Sequence, residues 1–432
     1  VLSKTIRSGL CLVGVCAPAA ADDKLALLIP NLYGSGGLVV DSAAPLPGGG
    51  THSAHFNASF QEAFRPFNVA LATQLASVQV PTPASGFTYT FDGTLGVFRR
   101  STQSFGPILS DRAETIGRKK IALGLHFQRF SFDAIDSVGL DAIPVVFTHD
   151  NPAAGTGRDD VVTTRNSIEA TLNQTTLFAT FGLSDRLDVS LAVPFVSVDL
   201  SVRSEATIRR IGTADPAIHF FETPGGGFGD QRTFTSSGSA SGLGDLLLRA
   251  KGTVVRSGAT GLALGIDVRL PTGDEEDLLG SGAASLKPFA ALSYSHKAVS
   301  PHLKLAYQWT GESVLAGNVA SGTKADLPDL LFFEAGADLS LAQRLTVAVD
   351  LLGRRVIDGE RLAAETFRAL DGRSTFPNVR FAVESFNQLD AAVGVKFNPV
   401  GSLLLDLNVL FKLNDDGLRD EVTPLLGMEY SF

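Results

Sequence analysis

The side chains with chemistry to offer are seven histidines, one run of four acids, and a set of Arg, Lys, Asp and Glu residues at every second position between Leu, Val and Ile. The histidines, at 52, 55, 126, 149, 219, 296 and 302, show no metal-ligand spacing beyond an uninformative pair near the N-terminus. His126 near Ser131 invites a catalytic reading, but a lone histidine on a strand face is far more often a hydrogen-bonded lining residue. No catalytic residue, metal site or cofactor is assigned. The run Asp274-Glu275-Glu276-Asp277 offers oxygens to a divalent cation shared with lipopolysaccharide; the plainer reading is a solvated loop tip.

The alternating charges are more informative. Arg249, Lys251, Arg269 and Lys304, with Asp267 opposed, fall in segments whose other face is apolar, and so do Glu334, Asp338, Asp350 and Asp406, with Asn408 and Lys412. If the apolar faces point to lipid, these groups line a lumen. One wall would then be basic and another acidic, giving a transverse field that orients polar solutes. The competing reading is that they pair with each other or with a plug, because charges in a narrow lumen need partners.

Strands must position them. From Lys119 onward twelve segments alternate with period two. Residues 121–128 set Ile121, Leu123, Leu125 and Phe127 against Gly124, His126 and Gln128, and residues 303–310 set Leu303, Leu305, Tyr307 and Trp309 against Lys304, Ala306, Gln308 and Thr310. In the third segment the alternation slips near Pro194 and Phe195, which a bulge would explain. Short connections (184–186, 256–259, 297–301, 342–343, 398–400) alternate with long ones (135–163, 205–241, 272–285, 311–328, 356–384, 413–420). An even strand count with this alternation predicts an all-β fold: a transmembrane antiparallel outer-membrane β-barrel over residues 119–432, with about twelve strands and fourteen as the alternative. No run of about 18 apolar residues exists to serve as a membrane helix.

Residues 1–21 read as a secretory signal peptide: Lys4 and Arg7, an apolar stretch over 10–15, then Ala19-Ala20-Ala21 before two aspartates. Both cysteines, Cys11 and Cys16, lie within it, and its removal takes the net charge from −9 to −11, which argues against nucleic acid as a partner. Residues 22–118 read as a plug. Phe56, Phe60, Phe64, Phe67, Leu71, Leu75 and Val78 share one face of a helix expected over about 53–80, with Pro66 kinking or splitting it, and a hairpin is expected over about 86–101. The alternative is a periplasmic or disordered leader, but a stripe this apolar needs cover.

The final strand ends on Tyr430, Ser431 and Phe432 and resembles the last strand of bacterial outer-membrane barrels, whose terminal aromatic residue addresses the chain to the barrel assembly machinery. Leu270-Pro271-Thr272-Gly273-Asp274, followed by Gly280 and Gly282, resembles the outer-membrane transporter family named for the meta-pathway of phenol degradation, and residues 86–117, with Phe105-Gly106-Pro107 and Arg112-Ala113-Glu114-Thr115, also resemble bacterial transporter-like proteins. The resemblance implies a plugged channel in the outer membrane, among lipid and lipopolysaccharide, for passive uptake of a small hydrophobic or aromatic solute. Its plan would be similar to the long-chain fatty acid and toluene channels, which have fourteen strands. The alternative function is a structural or surface-adhesion barrel with a blocked lumen, worked by its long loops.

Overall fold

The computed structural model of the protein describes residues 24–34, 37–43, 54–56, 65–78, 86–92, 97–100, 102–107, 109–149 and 159–432. Twelve strands form a closed ring: β1 (Ile121–Phe132), β2 (Val161–Ser184), β3 (Leu187–Arg209), β4 (Leu246–Ser257), β5 (Thr260–Leu270), β6 (Ser285–Tyr294), β7 (Val299–Thr310), β8 (Asp329–Ala342), β9 (Leu345–Arg368), β10 (Thr375–Phe397), β11 (Leu403–Lys412) and β12 (Val422–Ser431). Each pairs antiparallel with the next, and β12 closes on β1 in the register Leu426↔Phe127, with Phe432 N donating to Ile121 O at 2.8 Å. Twelve is the number the alternation gives. Two further strands, Gln231–Leu243 and Ile143–Thr148, extend the sheet outside the ring.

All twelve strands place large apolar side chains on the outer surface, among them Leu123, Leu177, Leu191, Leu264, Leu303, Leu351 and Leu407. In water such a belt would cost roughly 1.5–3 kcal/mol for each large side chain left uncovered, so it faces lipid. Trp309 and Phe411 lie exposed near the outer strand ends, and Tyr294, Phe397, Tyr430 and Phe432 near the short turns, as in aromatic girdles. Among the described residues no helix is long and apolar enough to cross a membrane; the strands cross.

Four strands are far longer than their apolar segments. β2 and β9 have 24 residues each, roughly 80 Å of extended chain, whereas a lipid-facing band is about 25 Å tall. They stand clear of the membrane. The expected loops 205–241 and 356–384 are therefore largely strand: β3 runs on to Arg209, Gln231–Leu243 returns beside it, and β9 and β10 continue to Arg368 and from Thr375. Hydropathy alternation stops there because no lipid remains to be faced. The expected loop 135–163 likewise contains Ile143–Thr148, which pairs with the start of β2, and 311–328 contains a hairpin of Glu312–Asn318 with Thr323–Asp326.

The bulge expected at Pro194 is absent. The β2–β3 ladder passes straight through Pro194↔Thr176 and Phe195↔Thr175. Instead the apolar residues change sides: Leu187, Leu191 and Phe195 face out to lipid, whereas Val196, Val198, Leu200 and Val202 are buried inside. At the same level β3 exchanges its partner β4 for Gln231–Leu243.

The N-terminal segment fills the ring. The helix α1 spans Arg65–Ser77, with Pro66 in its first turn, where the missing N–H costs nothing, so Pro66 starts the helix and does not split it. Ala54–His55 belong to a short strand paired with Val39–Val40, and Phe56 bridges His149, so the helical periodicity expected from residue 53 does not extend to this end. Tyr89–Asp92 and Val97–Arg100 form an antiparallel pair. The expected signal peptide over 1–21 lies outside the described residues, as do Phe60 and Phe64.

Candidate functional site

The interior has two zones. The extracellular zone is apolar: Val198, Leu200 and Val202 of β3 and Leu172 of β2 pack with Leu25, Leu28, Ile29, Leu38, Phe56, Phe67 and Leu71 in one core. Phe56 lies edge-on to His149 and His219, with ring centroids 5.5 and 5.4 Å away. Phe67, Leu71, Leu75 and Val78 are buried along α1.

A strap enters this zone at Lys24. Its ammonium donates to Asp277 Oδ2 at 3.0 Å and Asp274 Oδ2 at 3.1 Å, and Ala26 N donates to Glu276 O at 2.9 Å. The acidic run thus holds a lysine, where the sequence reading weighs a divalent cation against a solvated loop tip and favours the loop tip. Donating to Asp277 and Asp274 raises the Lys24 ammonium above the usual lysine range. Burial opposes ionisation of Asp274, but Lys24 and the amides of Asp277 and Glu276 hold its carboxyl below the usual range. The loop beneath is built on Asp245, which accepts from Gly273 N at 3.1 Å, Ser281 N at 2.8 Å and Ser281 Oγ at 2.7 Å, while Thr272 Oγ1 donates to Gly244 O at 2.8 Å. This is what the Leu270-Pro271-Thr272-Gly273-Asp274 motif does structurally.

The zone at membrane level is polar. Its centre is Asp111, fully buried on the plug. Arg249 Nη1 donates to Asp111 Oδ1 at 3.1 Å, and Lys304 Nζ lies 2.8 Å from Asp111 Oδ2. Arg249 also clasps Asp267 through Nε at 2.6 Å and Nη2 at 2.7 Å; Lys287 reaches Asp267 at 3.3 Å and Lys304 reaches Glu334 at 3.4 Å. Arg249, Lys287 and Lys304 on β4, β6 and β7 are paired with Asp267 on β5, Glu334 on β8 and Asp111, so these charges are matched pairwise and are not left as an open transverse field. The expected lumen groups Arg249, Lys251, Asp267, Arg269, Lys304, Glu334, Asp338, Asp350 and Asp406 are all inside, and each of the cations touches the plug. Lys251 Nζ donates to Arg112 O at 3.0 Å and Arg269 Nη2 to Val78 O at 3.1 Å. Lower down, Ala113 N donates to Ser293 Oγ at 3.1 Å, Phe105 N to Thr346 Oγ1 at 3.0 Å, and Lys396 Nζ to Phe105 O at 3.3 Å.

Two histidines share one arrangement. His302, Gly336 and Asp350 lie in register on β7, β8 and β9, and His126, Gly427 and Asp406 on β1, β12 and β11. His302 Nε2 lies 2.6 Å from Asp350 Oδ1, across the strand between them, and His126 Nδ1 lies 3.8 Å from Asp406 Oδ1. The middle residue must be glycine: a Cβ at 336 or 427 would come 2.1 Å from the aspartate oxygen. Ser131 faces outward while His126 faces in, so the two form no catalytic pair.

Between α1 and the wall is a cavity of about 70 Å³ lined by Gln74, Ser77, Leu109, Phe332 and Arg354. It has room for waters, whereas benzene occupies an apolar cavity of about 150 Å³. The sequence reading missed Asp111, Lys287, Asp245 and Lys24. Lys287 had a signal, since it alternates inward between Leu286 and Phe289; Asp111 lies in irregular chain and had none.

The family model described as "Putative MetA-pathway of phenol degradation" matches residues 150–349. No curated protein matches in sequence. Among solved structures, an outer membrane channel from Pseudomonas putida F1 is 12% identical, with 75% of this chain and 99% of that one covered at a TM-score of 0.45. A Pseudomonas aeruginosa FadL homologue is 10% identical (72% and 89% covered, TM-score 0.30), and so is the P. putida toluene transporter TodX (72% and 89%, TM-score 0.31). Likenesses this loose carry no functional argument; the closed ring with its apolar belt stands by itself as an outer-membrane architecture. The chain is an outer-membrane β-barrel whose residues 150–349 are similar to the family so described.

Proposed function

We propose that this protein is a plugged outer-membrane channel for passive uptake of small, largely apolar or aromatic solutes, with residues 24–118 as the plug. The observation that carries the reading is how the plug is held. At membrane level it is held by hydrogen bonds and ion pairs to Arg249, Lys251, Arg269, Ser293, Lys304 and Thr346, which water or a solute can replace one by one, together with two small apolar clusters around Leu109 and Phe105. Above it, the apolar core that the plug shares with Leu172, Val198 and Leu200 must open for a solute to enter, and once opened it offers an apolar solute a favourable surface.

The test is a reversible lock. Ser104 Oγ on the plug lies 3.5 Å from Ser300 Oγ on β7, and the chain's own cysteines are Cys11 and Cys16 alone. Ser104→Cys with Ser300→Cys, oxidised in proteoliposomes, should abolish uptake of toluene or octanoate, and a reductant should restore it. Flux that is identical in both redox states would sink the plug role. Absence of flux in every state would favour a structural barrel.

A further inference from the structure

We propose that the cradle around Asp111 is a carboxylate-binding site for the passing solute, occupied in the resting protein by the plug's own side chain, and that the solutes are small monocarboxylates with an aromatic or apolar body. The inference rests on the plugged-channel reading and names its substrate class.

Asp111 is bound the way a ligand is bound. Two wall cations meet its carboxylate, Arg249 Nη1 at 3.1 Å from Oδ1 and 3.3 Å from Oδ2 and Lys304 Nζ at 2.8 Å from Oδ2, and its side chain is fully buried. The wall also addresses the adjoining backbone, with Lys251 on Arg112 O and Ser293 on Ala113 N. Both cations are prearranged without Asp111. Arg249 is fixed by its two-point bond to Asp267, and Lys304 by Glu334. They also share an aromatic floor: the Arg249 guanidinium carbon lies 5.0 Å and the Lys304 nitrogen 5.5 Å from the Phe289 ring centroid. A carboxylate held here would lay its apolar body beside Phe289.

Charge gives the sign. With Asp111 withdrawn, four wall cations, Arg249, Lys251, Lys287 and Lys304, face three wall carboxylates, Asp188, Asp267 and Glu334. One positive charge is left to be met, and an unmet buried charge is costly. A solute carboxylate that takes the place of Asp111 meets it, so solute entry and release of the plug become one exchange. A neutral solute of the same shape cannot complete it.

The test removes the occupant and leaves the cradle. In the full chain in detergent, Asp111→Ala opens a carboxylate-sized gap, and equilibrium dialysis should show benzoate binding at least about tenfold more tightly than to the unaltered protein, the scale of one hydrogen bond to a charged group. Benzamide should show no such gain, and Lys304→Gln added to Asp111→Ala should remove it. Asp111→Ser is the second variant if Asp111→Ala does not assemble into a heat-modifiable barrel. Equal binding of benzoate and benzamide, or no gain over the unaltered protein, overturns the inference. With redox-gated flux in the Ser104–Ser300 lock, that result leaves the channel reading standing; without it, both fall.

Discussion

The two halves of the lumen are filled by the same segment on opposite physical principles. Outside the membrane, the plug and the tall walls share an apolar core, in which Leu71, Leu172 and Leu200 lose nearly all contact with solvent. At membrane level the belt of leucines faces outward to lipid, and the inside is dominated by paired charges, glycine and small polar groups, with only small apolar clusters such as those around Leu109, Phe105 and Phe289 between them. The upper half therefore resembles a water-soluble β-protein resting on a membrane barrel. The lower half inverts it, apolar outside and polar within. The difference teaches where each half keeps its stability: in packing above, and in strand pairing plus satisfied charge below.

A large-to-small change in the upper core should have the greatest effect. Leu200→Ala removes a side chain from a packed interior, at about 2–5 kcal/mol. Hydrogen exchange should quicken through residues 196–208 and 231–243 while residues 246–270 keep their protection. Equal loss in both halves would show one cooperative unit and break the comparison. Next in size is Gly336→Ala, which drives a methyl group into the His302–Asp350 contact; a cost of about 1–3 kcal/mol is expected, read as a lower urea midpoint. Gly427→Ala should behave alike at His126 and Asp406, and indifference at both positions would mean that the cross-strand pairs are dispensable.

The smallest effect belongs to the strap. The Lys24 and Asp274 side chains are 37% and 46% exposed, so their pairing is worth at most about 1 kcal/mol. Its pH dependence has a definite sign. Asp274 is depressed, so its contribution is present above the ordinary carboxylate value and is lost as pH falls through its lowered one. Lys24 is raised, so its contribution is complete below the ordinary lysine value and is lost as pH rises through its raised one. Proteolytic sensitivity near Lys24 should be flat between about pH 5 and 9 and rise in stronger acid and again above the ordinary lysine range. Titration near neutrality would refute this.

The ring was legible because lipid imposes a period of two on every crossing strand. Leu303, Leu305 and Trp309 against Lys304, Ala306 and Gln308 could only be a two-faced strand. Above the lipid the outer face turns polar, as where Gln231–Leu243 beside β3 exposes Thr235, Ser237, Ser239 and Ser241, and the signal vanishes although the hydrogen bonds continue. Val196 to Val202 shows the subtler failure: an apolar run in phase with itself says that one face is covered, and is silent on whether lipid or protein covers it. Asp111 was invisible for a third reason, since a residue in irregular chain has no phase and is defined by what reaches it from elsewhere.

The course of the plug makes the molecule a thread through its own ring. Lys24 is moored to the outer loop at Asp274 and Asp277, while residues 113–120 join β1 beside the opposite mouth. Withdrawal of this segment toward the joined end would draw Lys24 through the bore. A folded domain fused ahead of Lys24 and held outside would act as a stopper knot: withdrawal would fail although every contact inside the bore stayed as it is.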